Sequence, residues 1–168
     1  PPVTNDSCLL VSFEKEYIKG KGGVFKINPS KSPDKCVEWF FPTKNKKYFT
    51  WAGGIIGSVA VNDSYVEDNQ THIAAFTGID GYLYVVNHQK LSGDSVKGPN
   101  LKYNYPLPEL LYKEYVGPSI ASPIIVQNRI VVPTYQGLYL FGFDEKMQFE
   151  LLDKFDAIFE ASPIAWNN

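Results

Sequence analysis

The chain has 168 residues, enough for one domain with a substantial core, and 44% of them are hydrophobic, 15% aromatic and 20% charged. The net charge is −2 and Arg129 is the only arginine, so neither a general attraction to polyanions nor the bidentate guanidinium reader of nucleic acid is available. No run of about 18 apolar residues occurs, which excludes a transmembrane helix.

In chain order, Cys8–Phe13, Gly23–Asn28 and Val37–Phe41 read as short strands, each with β-branched or aromatic residues between polar, Gly- or Pro-bearing turns. Gly20–Gly23 lacks the frame of a phosphate-binding loop and reads as a hairpin connection. Ser58–Val61, Ile73–Thr77, Tyr82–Asn87 and Leu110–Tyr115 form a second set. Two insertions, Asp63–Thr71 and Gln89–Glu109, interrupt this set and read as loops because they are polar and carry Gly and Pro. Ser122–Val126, Arg129–Thr134, Leu138–Phe143 and Gln148–Phe155 form the third set, with tight links at Gln127-Asn128 and Gln136-Gly137. A last strand is expected at Ser162–Asn167.

The sets repeat. Gly57-Ser58, Ala121-Ser122-Pro123 and Ala161-Ser162-Pro163 open in the same way, and their serines lie 64 and then 40 residues apart. A repeat near 40 residues with four short strands is the pattern of a β-propeller blade. The expected fold is all-β: a propeller segment of about three four-stranded antiparallel blades, forming a single unit over 1–168. Its parts are a partial blade at 7–50, a blade at 57–116, a blade at 121–156, and at 161–168 the first strand of the next or closing blade. Propellers have about 4–8 blades, so the chain is expected to be part of a longer propeller or, in second place, half of a ring shared by two copies.

The repeats resemble the PQQ-like (quinoprotein alcohol dehydrogenase-like) β-propeller family. The resemblance rests on Ala121-Ser122-Pro123, Gly137-Leu138-Tyr139-Leu140-Phe141 with Asp144, Gly81-Tyr82-Leu83-Tyr84-Val85-Val86-Asn87, Gly23-Val24-Phe25-Lys26-Ile27-Asn28, and the tryptophan of Val37-Glu38-Trp39-Phe40-Phe41. The quinone-dependent members carry a vicinal cysteine pair and a calcium site with a catalytic aspartate. Neither can be matched here, since Cys8 and Cys36 are far apart in the chain. The resemblance therefore implies the fold and no quinone. It also implies an extracytoplasmic place (periplasmic, cell-surface or secreted), because such repeats often serve in envelope assembly.

The chemistry-bearing residues are few. His72 and His88 read as strand-end polar residues, with no His/Cys/Asp spacing that supplies a third metal ligand. The repeated Ser122 and Ser162 read as structural and not as nucleophiles. Cys8 and Cys36 fall on strands two spacings apart, which argues against a disulfide. Lys44, Lys46 and Lys47 form a small basic patch. Asn5-Asp6-Ser7, Asn62-Asp63-Ser64 and Asn69-Gln70-Thr71 match the N-glycosylation acceptor pattern, and Asp94-Ser95-Val96 resembles a short bacterial O-glycosylation acceptor.

The candidate partner contacts are aromatic: Tyr48, Phe49 and Trp51 between the first two sets, and Tyr103 and Tyr105 in the second insertion. The expected function is a non-enzymatic interaction or scaffold module of a cell-envelope protein, with no catalytic, cofactor-binding or metal residues and a protein partner. That partner is either the rest of a longer propeller or a second copy. The alternatives are a piece of a PQQ-dependent dehydrogenase and a carbohydrate-binding propeller.

Overall fold

The computed structural model of the protein describes residues 1–15, 21–63 and 72–165. Among these residues there is no helix, and every sheet is antiparallel. The first sheet holds β1 (Leu9–Phe13), β2 (Gly23–Ile27) and β3 (Val37–Pro42). The second holds β4 (Ala60–Asn62), β5 (Ile73–Thr77), β6 (Tyr82–Lys97) and β7 (Asn104–Tyr115). The third holds β8 (Ile124–Val126), β9 (Arg129–Thr134), β10 (Gly137–Phe143) and β11 (Phe149–Phe155). Each sheet is a meander in which neighbours in the chain are neighbours in space, and none closes on itself.

Local turn chemistry drives this arrangement. Val126 pairs with Arg129 across a two-residue turn whose first residue, Gln127, has φ of 52°. Gly81, at φ of 89°, ends the connection from β5 to β6. A Cβ there would lie 2.5 Å from the Tyr115 ring, so both its conformation and its surroundings require glycine.

Two expectations are corrected. The segment Gln89–Glu109 is not a loop: β6 and β7 run on past the body of the sheet as a paired arm, with Val96 opposite Tyr105 and Lys97 opposite Asn104. Pro106 and Pro108 fit because β7 is the edge strand, whose outer side donates to no ladder. Register breaks between Asn87 and Leu91 and between Leu91 and Ser95 absorb the bend. The second correction concerns the closing strand. Ser162–Ala165 pair with no strand, so the first sheet keeps three. A single extended segment with no backbone neighbour has no ladder to join. Residues 166–168 of that expected strand, most of the first insertion, and Gly20 lie outside the described residues, as do Ser64 and Asn69-Gln70-Thr71 of the acceptor patterns. Asn62 itself is buried and donates through Nδ2 to the Gln127 carbonyl at 2.9 Å, which leaves no room for a glycan.

Because side chains alternate along a strand, each sheet presents two faces. Ala74, Phe76, Tyr84 and Val86 of the second sheet pack against Leu10, Val24, Trp39 and Phe41 of the first. Its opposite face, Ile73, Ala75, Leu83 and Val85, packs against Ile130, Val132, Tyr139 and Phe141 of the third. Full burial of each such apolar side chain stabilises by about 1.5–3 kcal/mol. The second sheet is thus covered on both sides, and the outer two on one side each.

Short bonds tie successive sheets together. The Ser12 hydroxyl donates to the Gly57 carbonyl at 2.8 Å, and the Thr77 hydroxyl to the Ala121 carbonyl at 3.1 Å. At Gly57 the connecting segments meet so closely that a Cβ would lie 2.4 Å from the Ala121 oxygen.

Candidate functional site

The residues with most chemistry lie in one row across the second sheet. Asn62 pairs with Ile73, and Ile73 with Asn87, across β4, β5 and β6. One step further along each strand stand Asp63, His72 and His88. The step is held by the His88 N–H, which donates to the His72 carbonyl at 2.8 Å. Neighbouring strands are about 4.8 Å apart, so three polar side chains on one row converge.

They meet at one oxygen. Asp63 Oδ1 lies 3.0 Å from His72 Nδ1 and 2.6 Å from His88 Nε2. The other carboxylate oxygen accepts the Asn5 N–H at 2.8 Å. Asn5 Nδ2 stands 3.3 Å from His72 Nδ1. The three donor atoms of Asp63, His72 and His88 all lie within 4.8 Å of one another.

His88 is fully buried and anchored from the first sheet. Its carbonyl accepts from Trp39 Nε1 at 2.9 Å and from Lys26 Nζ at 3.0 Å. Lys26, itself only 3% exposed, also bonds Asp6, whose second oxygen takes the Thr4 hydroxyl. Burial pushes the His88 imidazole below its usual range, against the pull of the Asp63 carboxylate, so the ring is neutral at neutral pH. His88 Nδ1 is the one buried side-chain polar atom among the described residues that has no hydrogen-bond partner. Beside it lies a cavity of about 260 Å³ whose lining includes Asp6, Cys8, Lys26, Trp39 and His88.

The aromatic candidates divide. Tyr48 and Trp51 exchange backbone hydrogen bonds, each at 3.0 Å, across a turn in which Phe49 takes φ of 51°. The turn thrusts the Phe49 ring outward to 67% exposure, 4.4 Å from the Tyr48 ring and 6.1 Å from Trp51. Tyr135, from the turn between β9 and β10, joins them at 5.3–6.0 Å. Tyr48, Phe49 and Trp51 therefore form one platform with a residue of the third sheet. Tyr103 and Tyr105 lie apart on the arm. Tyr103 is exposed under the Lys102 ammonium, whereas Tyr105 packs edge-on against Phe25 and Phe40 of the first sheet.

The basic patch is engaged locally, with the Lys44 ammonium over the Tyr82 ring and that of Lys46 over Tyr115. Cys8 and Cys36 are free thiols. In comparison with known proteins, no family model and no curated protein matches the chain.

Proposed function

We propose that the chain is an arc of a PQQ-like β-propeller that serves as a protein-interaction scaffold, with a further sheet of the same kind as its partner. One observation carries this reading. Leu83 and Val85 on β6 are wholly buried against the third sheet, and their outward counterparts on β10 are Leu138 and Leu140, which alternate with Tyr139 and Phe141, the pair turned to the second sheet. Those counterparts are only half-buried, and Leu152 at 40% and Phe155 at 65% exposure extend the same outward face. A largely apolar face of this kind, interrupted by Asp153 opposite Leu140, supports an interaction surface.

The far side of the first sheet is also apolar, with Phe40 wholly buried and Phe13 and Phe25 half-buried. Phe13, Phe25 and Phe40 form a row with ring centroids 4.7–5.9 Å apart, covered in part by Tyr105. A chain with two unlike apolar faces associates face to opposite face and either closes a ring or extends. The Phe49 platform, 67% exposed at its tip, is the surface offered to other proteins. The resemblance to envelope repeats supports an extracytoplasmic place for this scaffold.

Light scattering coupled to size exclusion tests the reading. The expected result is association of the 168-residue chain, reversed by Leu140→Lys together with Phe155→Lys. A soluble monomer that binds no hydrophobic dye and ignores these substitutions would overturn it.

A further inference from the structure

We propose that Asp63, His72 and His88 form a binding site for a divalent transition cation of the zinc class. The donor set is two imidazole nitrogens and one carboxylate oxygen, all within 4.8 Å of one another. Hard cations such as calcium and magnesium prefer sets made of oxygen. No thiolate belongs to the cluster, which disfavours copper(I). Two imidazoles with a carboxylate suit zinc, cobalt(II), nickel(II) or iron(II), and three protein ligands leave a position for water.

Three further observations point the same way. The site stands at the adjoining ends of β4 and β5 and within β6, and the His88 backbone is held from the first sheet by Trp39 and Lys26. His88 is fully buried, so a cation held there is shielded from bulk water on one side. Among the described residues no lysine or arginine pairs with Asp63, whose carboxylate is met by the two imidazoles and the Asn5 N–H.

Without a cation the arrangement is poorly satisfied. One carboxylate oxygen facing two ring nitrogens calls for a proton on each, while the Asn5 amide calls for a lone pair on the same His72 nitrogen. A cation takes the lone pairs of both rings and the carboxylate together. Tetrahedral zinc with bonds near 2.0–2.1 Å places its donors roughly 3.3 Å apart. Asp63 Oδ1 therefore needs to withdraw by less than about 1 Å from His88 Nε2, a shift open to a side chain just past the end of β4.

The test uses the whole chain after dialysis against a chelator, titrated with zinc by calorimetry and with cobalt(II) by visible absorption. One equivalent is expected to bind, with cobalt d–d bands and a melting temperature raised by several degrees at saturating zinc. His72→Ala and Asp63→Ala each weaken zinc binding at least about tenfold. Both sit at the rim, so they report on the site even where the buried His88→Ala fails to fold. Absence of stoichiometric uptake, or uptake unchanged in both rim variants, would overturn the assignment. Neither result bears on whether copies associate through their apolar faces.

Discussion

The backbone N–H of Ser58 donates to the hydroxyl oxygen of Ser122 at 2.7 Å, and the N–H of Ser122 donates in turn to Ser162 at 2.8 Å. The repeated serine is thus a coupling device. Each unit's serine accepts from the serine of the unit before it, and proline follows Ser122 and Ser162. Prolines hold the preceding residue extended and bring no N–H of their own into the junction.

Ser122→Ala removes the acceptor for Ser58 and is expected to cost about 0.5–1.5 kcal/mol in urea unfolding. Ser122→Thr keeps the oxygen and should cost less. Equal losses for the two substitutions would contradict the coupling role.

Gly57→Ala tests the close approach of the linking segments. Its Cβ would lie 2.4 Å from the Ala121 oxygen, which is backbone and cannot swing away. A loss of roughly 2–4 kcal/mol is expected, measured by thermal and urea denaturation. A near-neutral variant would mean that the segments leading into the second and third sheets can separate freely at this point.

Lys26→Met should cost about 1–3 kcal/mol, because it strips Asp6 and the His88 carbonyl of a shared donor. The same pair gives a pH signature. Burial raises the Asp6 pKa, but the hydrogen bonds from Lys26 and Thr4 and the Lys26 charge outweigh it and hold the carboxyl below its ordinary value. A depressed carboxyl stabilises the fold above its unfolded pKa of about 3.9, and that contribution disappears as pH falls through the folded pKa. Melting temperature followed from pH 6 downward should fall more steeply for the native chain than for Asp6→Asn. Parallel curves would exclude Asp6 as a source of acid sensitivity.

The aromatic candidates should separate by experiment as they do in space. Phe49→Ala, at an exposed turn, is expected to change stability by less than about 0.5 kcal/mol. Tyr105→Ala removes an edge-on contact with both Phe25 and Phe40 and should cost about 1–3 kcal/mol. Chemical denaturation of the two variants side by side checks this. A Phe49 variant that unfolds as readily as the Tyr105 variant would assign the platform to the core.

Strand positions were legible in the residues themselves because hairpin turns and period-two alternation are local. Ile73–Thr77 and Arg129–Thr134 coincide with β5 and β9. The aromatic group of Tyr48, Phe49 and Trp51 was legible as well, since it falls between two repeat units. The arm of β6 and β7 was not. Its polar residues, glycines and prolines follow loop statistics, and only pairing along an open sheet edge makes them strands. The row of Asp63, His72 and His88 was half legible. Strand boundaries at Ile73 and Asn87 put the two histidines opposite one another, but Asp63 is added by the register of β4 on β5, across an insertion that sequence pattern cannot measure. Local periodicity determined the strands in the body of each sheet. The tertiary structure alone decided which polar ends converge and which apolar faces stay open, because both depend on register and on the stacking of one sheet against the next.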